Sequence, residues 1–290
     1  QTTAYESSLG LVGSEMCIRD SYSFALRIKT GNENMNDARS TQGSVAESFL
    51  RALKKRGLDI VFANSGTDFA PLIEALVRLK TAGEEMPDFM TVPHENLAMA
   101  MAHGYHRVSG KPVAVMVHVT PGTANAICGL MNAQRDHVPL ILIAGRTPIT
   151  QAGSIASRSA PIHWGQENFD QAGMVREYTK WDYELRAGQS PSQIVGRAID
   201  IALNEPKGPV YLTLPREVLT NQDNNTVATP APKIISAPEP NISAINKLAE
   251  WIARAERPVI VTSHVGQDIE AFKHLSLIHI SEPTRPRLLS

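Results

Sequence analysis

The 290-residue chain has only two cysteines, Cys17 and Cys128. That excludes a disulfide framework and a cysteine-built metal site. Neither sign of charge dominates: 28 lysines and arginines against 29 aspartates and glutamates leave a formal charge of -1, so nothing electrostatic argues for nucleic acid or an anionic membrane as partner. No apolar run approaches the roughly 18 residues that span a bilayer. The first residues also lack the basic start and apolar stretch of a secretion signal, and the expected compartment is the cytoplasm. A Gly-x-Ser-x-Gly elbow and a Gly-x-Gly-x-x-Gly turn are both missing, which removes the simplest arguments for a serine hydrolase and a dinucleotide enzyme. His94, His103, His118 and His163 include no helical pair with a third acidic ligand, so no protein-ligated metal is expected. What is present is 42% apolar residues, enough for a packed core in one large domain or in one domain and part of a second. A globular small-molecule enzyme fits this composition. Cys128, within an apolar helical stretch, is expected to be a small buried hydrophobe.

The two ends stand apart. Val12 to Ser21 can be encoded by a DNA stretch whose reverse complement reads Leu275 to Thr284. Opposite-strand translations of one DNA at both ends resemble a translated sequencing-library adapter, so residues 1–34 and 275–290 are set aside as non-native tails that should pack against nothing. Met35 is a candidate native start, and no role is assigned to Cys17 or His279.

From Ser44 onward helical and strand patterns alternate, the signature of a doubly wound, mainly parallel α/β sheet with helices on both faces. Ser44 can cap a helix in which Val45, Phe49 and Leu53 recur at helical spacing and which ends at Gly57. Strands are expected over 59–63, 89–92, 112–119, 140–144 and 210–214, with helices beginning at Asp68 and over 95–109, 123–135 and 192–204. Residues 151–164 show little periodicity and read as a long loop. The domain is assigned to 40–222 and a proline-rich linker to 223–241, around Thr229-Pro230-Ala231-Pro232 and Ala237-Pro238-Glu239-Pro240. Residues 242–274 read as the start of a second α/β domain, with an amphipathic helix over 242–254 and a strand over 258–262.

In an open parallel sheet, ligands sit at the carboxyl ends of the strands. Three turns there carry polar groups or glycine: Asn64-Ser65-Gly66-Thr67-Asp68, Pro93-His94-Glu95-Asn96 and Thr120-Pro121-Gly122-Thr123-Ala124-Asn125. His94-Glu95, followed by Ala98, Ala102, Gly104-Tyr105 and Gly110-Lys111-Pro112, resembles the glutamate-bearing segment of thiamine-diphosphate enzymes. Pro121-Gly122-Thr123-Ala124-Asn125 with Pro139 to Gly145 resembles the next strand-turn-helix-strand of the same domain. Gln166-Glu167, Thr179-Lys180-Trp181 and Gly208-Pro209-Val210 through Val218 extend the likeness, specifically toward acetolactate synthase large subunits of branched-chain amino acid biosynthesis. The resemblance covers about 45–219.

It implies a pyrimidine-binding domain in which Glu95 hydrogen-bonds the pyrimidine ring nitrogen of thiamine diphosphate. Asn64, Ser65, Gly66, Pro121, Gly122 and Asn125 would bind the cofactor, and Thr67, Gln166 and Lys180 would face the substrate. The implied activity is decarboxylation of a 2-oxo acid such as pyruvate and ligation to a second 2-oxo acid. Mg2+ would be held with the diphosphate by another domain, whose Gly-Asp-Gly to Asn motif is absent from this sequence. FAD is a further candidate, although Thr262-Ser263-His264-Val265-Gly266 departs from the usual glycine-rich turn. The full-length enzyme would be a homodimer or homotetramer, and this chain alone incomplete.

Plainer readings accompany each residue. Glu95 could serve only the first turn of its helix, Asn125 an ordinary helix start, and Gln166, Arg176 and Lys180 a solvated surface. Asn64 to Thr67 replaces the family's aromatic-Pro-Gly-Gly turn, which leaves the acceptor open. Another thiamine-diphosphate decarboxylase or carboligase is therefore the neighbouring alternative. A noncatalytic dimerisation or binding domain is the alternative of another class.

Overall fold

The structure, a computed structural model, describes residues 43–225, 231–235, 238–261 and 268–280. Residues 1–34 lie outside that set, as does the 275–290 tail beyond residue 280. Chain order runs α1 (Val45–Lys55), β1 (Ile60–Asn64), α2 (Ala70–Thr81), β2 (Asp88–Thr91), α3 (Glu95–Ser109), β3 (Val113–Val117), α4 (Val119–Arg135), β4 (Leu140–Arg146), α5 (Ile162–Gly165), β5 (Asp182–Glu184), α6 (Pro191–Leu203), β6 (Val210–Pro215), α7 (Arg216–Thr220), α8 (Ile242–Arg254) and α9 (Ile269–Ile280). Three-residue 3-10 turns add Thr67–Phe69, Ala172–Met174 and Arg176–Tyr178.

The six strands form one sheet in the order β2-β1-β3-β4-β6-β5, and every pairing is parallel. The alternation along the strands explains the layering. In β4, Ile141 and Ile143 face α1, α2 and α6 in one buried cluster, whereas Leu140, Leu142 and Ala144 face α3 and α4 in the other. Both sides are covered, so β3 is buried throughout as Val-Ala-Val-Met-Val, the near-continuous apolar run that parallel strands require. Ser44 starts α1 with a reciprocal capping box: its hydroxyl accepts from the Glu47 N–H, and Glu47 Oε2 accepts from the Ser44 N–H.

Several expectations are corrected. Asp182–Glu184 is a strand that the sequence pattern did not reveal; it is short, half-buried and at the sheet edge, where polar residues are tolerated. The segment expected as a turn at Thr120 to Asn125 is helix, because α4 begins at Val119 and uses Pro121 in its first turn, where no intrahelical N–H is needed. Residues 258–261 form no strand; residue 262 lies outside the described set. Cys128 is exposed on α4 rather than buried, because the core-facing positions of that helix are Ala126, Gly129, Leu130 and Ala133.

The chain divides into two compact units after Ile235. Residues 233–235 are strapped to α6 in the first unit: the Lys233 N–H donates to Asp200 Oδ1 at 3.0 Å and Asn204 Nδ2 to the Lys233 carbonyl at 2.8 Å. The second unit carries α8, with an Asn241 N-cap, and α9, which runs through the expected tail boundary at 275. Among the described residues, no helix is long and apolar enough to cross a membrane.

Candidate active site

Strand order reverses between β1 and β3, and a crevice at the carboxyl ends of the strands follows from that reversal. The residues that follow β1, β2 and β3 meet there. At the end of β1, Asn64 Nδ2 donates to the Val92 carbonyl at 3.0 Å, tying the first turn to the second. Ser65 is exposed and Thr67 half-buried. Gly66 is required by space: a Cβ there would lie 2.1 Å from His118 Nδ1.

Glu95 is the first residue of α3 and is 8% exposed. The helix is capped by His94, whose Nδ1 accepts from the Asn96 N–H at 3.1 Å, so the cap does not consume the Glu95 carboxylate. Instead Asn125 Nδ2 donates to Glu95 Oε2 at 3.1 Å. Gly122 lies against Oε1, which would be 3.4 Å from a Cβ at that position. Glu95, Gly122 and Asn125 are thus brought together by two helix starts, with Pro121 exposed beside them. A buried carboxylate beside a side-chain-free backbone wall suits a flat ring that offers a hydrogen-bonding nitrogen. These residues fit the aminopyrimidine of thiamine diphosphate.

Asp68 and His118, which were given no role from sequence, form a second cluster at this edge with Gln166. Asp68 (2% exposed) places Oδ1 2.6 Å from His118 Nδ1, and its Oδ2 accepts from the Val119 N–H at 3.3 Å. On the other side of the ring, Gln166 Nε2 lies 3.1 Å from His118 Nε2. An amide N–H can only donate, so Nε2 is the acceptor and the ring proton sits on Nδ1, toward Asp68. Gly145, at the end of β4, makes room for the carboxylate: a Cβ there would fall 1.7 Å from Asp68 Oδ2. The signal that could have found this pair is topological. His118 directly follows β3 and Asp68 lies in the turn after β1, so neighbouring parallel strands deliver both to one crevice. Val119, a β-branched residue, has φ of 29°, a conformation that costs about 1–3 kcal/mol and concentrates at functional sites.

A buried arginine and a half-buried glutamate after β6 hold the long loop over this edge. The Arg216 guanidinium donates to the carbonyls of Ala156 and Ser157. Burial pushes its pKa down, opposed by Glu217 and Asp68. Glu217 Oε1 accepts from the N–H groups of Ile149 and Thr150.

Lys180 is not in the site. It precedes β5 and so lies at the amino edge of the sheet, where its Nζ donates to the helix-end carbonyls of Ile201 and Asn204 at 2.5 and 2.6 Å. The resemblance alone places it among substrate-facing residues, and its position at the amino edge does not match that placement. Burial lowers its pKa. Arg176 is likewise committed, to Asp170 and Asp182.

Residues 43–174 match the family described as thiamine pyrophosphate enzyme, N-terminal TPP binding domain. The chain is 28% identical over 222 residues to acetolactate synthase 2, chloroplastic, of Brassica napus, covering 75% of this chain and 32% of that protein. It is also 28% identical over 238 residues to benzoylformate decarboxylase of Pseudomonas aeruginosa, covering 78% and 40%. A similar solved structure is the thiamine diphosphate-dependent 4-hydroxybenzoylformate decarboxylase of Rhodococcus jostii RHA1, with TM-score 0.59 and 28% identity over 75% of this chain and 38% of that one. The chain spans about a third of the length of the curated relatives it matches.

Proposed function

From the premise that residues 43–174 belong to the thiamine pyrophosphate enzyme N-terminal domains, we propose that this domain binds the pyrimidine half of thiamine diphosphate in an enzyme that decarboxylates a 2-oxo acid and joins the remaining carbons to a second 2-oxo acid, as an acetolactate synthase does. The observation that carries the reading is the buried Glu95 carboxylate, bonded to Asn125 and walled by Gly122 at the carboxyl edge. When bound, the cofactor supplies the carbanion chemistry that 2-oxo acid decarboxylation requires. Glu95 would hold a proton at the pyrimidine ring nitrogen, and Asn125 would fix the carboxylate's direction. Asn64, Ser65, Gly66 and Pro121 would complete the wall, with Thr67 and Gln166 on the substrate side. Mg2+ would be bound with the diphosphate by a separate domain, FAD is a further candidate cofactor, and a homodimer or homotetramer in the cytoplasm is the expected assembly.

The test is Glu95→Gln in an enzyme joining this domain to a diphosphate-binding domain. Shape and hydrogen bonding survive while the proton-sharing carboxylate is lost, so exchange of the cofactor's thiazolium proton should slow about a hundredfold to ten-thousandfold. Exchange within about threefold of the parent, under roughly one kcal/mol of barrier, would leave Glu95 as a helix-start carboxylate and end the proposal.

A second reading, decarboxylation without ligation, is supported by the Asn64 to Thr67 turn and by the benzoylformate decarboxylase likeness. Product analysis separates the two: acetolactate from pyruvate supports ligation, whereas benzaldehyde from benzoylformate with no ligated product supports the second. Turnover of neither, with added cofactor and Mg2+, would favour a noncatalytic binding domain.

A further inference from the structure

The unusual backbone of Val119 is held at both of its peptide groups. Its N–H donates to Asp68 Oδ2. Its carbonyl, 2.7 Å from Thr123 Oγ1, ends a chain of buried hydrogen bonds. That chain starts at Gln171, whose Nε2 is 2.9 Å from the Gly145 carbonyl and 2.8 Å from Tyr211 Oη; Tyr211 Oη is 2.9 Å from Thr123 Oγ1. The amide nitrogen of Gln171 only donates and the Gly145 carbonyl only accepts. Along the shortest contacts Tyr211 Oη receives the second amide proton and gives its own to Thr123, whose proton goes to the Val119 carbonyl; Gln171 Nε2 also lies 3.4 Å from Thr123 Oγ1. Tyr211 and Thr123 are fully buried and Gln171 nearly so. Burial raises the phenol pKa, which keeps it protonated as the donor this order requires. Three elements, β4, β6 and the loop that carries Gln171, thereby converge on one carbonyl.

We propose that Gln171, Tyr211 and Thr123 are positioning residues, which hold the strained His118–Val119 step so that the His118 ring stays between Asp68 and Gln166 in the candidate active site. The inference rests on the reading of that crevice as the site. It adds that the ring's orientation is imposed from strand β6 and from the segment after α5 that carries Gln171, not by Asp68 alone. A fully satisfied buried network rigidifies what it touches, and removing one member leaves the others without partners.

The experiment uses the full chain without thiamine diphosphate, labelled with 15N. Ring-nitrogen chemical shifts of His118 report its tautomer and its bond to Asp68, and hydrogen exchange of the Val119 amide reports whether that N–H remains held. Tyr211→Phe removes the hydroxyl alone, and Thr123→Val removes the final donor while keeping the side-chain shape. Both should move the His118 nitrogen signals and speed Val119 exchange by about tenfold. Leu79→Ala, a core change in α2 among the residues of the opposite face, should lower the melting temperature and leave both signals in place. If neither Tyr211→Phe nor Thr123→Val moves His118 and Val119, or if Leu79→Ala moves them equally, the positioning role is overturned. Because no cofactor is added, failure of the proposed activity would leave this result standing, and its failure would leave the Glu95 test standing.

Discussion

Two histidines, His106 and His118, are each 8% exposed, yet they sit at opposite edges of the sheet and do different work. His106 lies near the end of α3, and its Nδ1 is 2.8 Å from the Lys111 carbonyl ahead of β3, a bond that closes a connection. His118 lies where β3 ends, between a carboxylate and an amide. The same contrast holds for the edges as a whole. At the amino edge, polar groups are consumed by structure: Lys180 takes helix-end carbonyls, Lys54 and Lys111 share Asp59, and Arg56 pairs with Asp200 and the Gly196 carbonyl. At the carboxyl edge, side chains bond to one another and to a backbone step with an unusual conformation. Burial does not distinguish the two histidines. The identity of the partners does.

The largest expected effect tests the amino edge. Arg56→Met should cost about 3 kcal/mol, because it takes the paired cation from a partly buried Asp200 carboxylate that keeps its bond from the Lys233 N–H, while the His118 ring signals stay unchanged. Urea unfolding measures the first and NMR the second; a shifted His118 would mean the edges are coupled. Gly145→Ala should cost about 1–3 kcal/mol through the collision with Asp68, and should also displace His118. Gly83→Ala, where φ is 81° and the space is open, should cost only about 1 kcal/mol of backbone strain and leave His118 alone. Equal responses of the ring to both alanines would remove the contrast.

Lys180→Met should lower stability by only about 0.3–1 kcal/mol, the worth of a cation at a helix end, and leave the KM for a 2-oxo acid unchanged in the joined enzyme. A raised KM would return Lys180 to the substrate side. The smallest effect concerns His106, whose pKa burial lowers below the ordinary value, with the Lys111 carbonyl opposing. The unfolded chain then binds more protons just below pH about 6.5, so wild type should lose stability relative to His106→Gln as pH falls from about 8 to about 5. Urea midpoints across that range that fall in parallel would show that His106 does not titrate differently on folding.

Much of the fold was legible because its signals are local. Period-3.6 and uninterrupted apolar runs marked α1, α3 and β3, and α8 fell on the expected 242–254. Asp182–Glu184 escaped because an edge strand of three residues carries no apolar run, and Lys180, placed by family likeness alone, lies at the amino edge instead. Cys128 escaped for a different reason: which face of an apolar helix turns inward depends on what packs against it.

The sequence by itself determined the alternating α/β plan and the strand-to-helix junctions near Glu95, Gly122 and Asn125, since each junction follows a strand pattern and a parallel sheet sends all of them to one edge. Only the tertiary structure decided which side chains meet there. Asp68 and His118 are 50 positions apart, and Thr123 and Tyr211 are 88 apart; no local periodicity encodes a contact of that span. Strand order placed β1 beside β3 and β4 beside β6, and that order arises from burying apolar faces on both sides of the sheet, an interaction with no direction of its own. Hydrogen bonds among Asp68, His118, Gln166, Thr123, Gln171 and Tyr211 then became obligatory, because groups taken out of water must find partners in whatever neighbourhood packing has assembled.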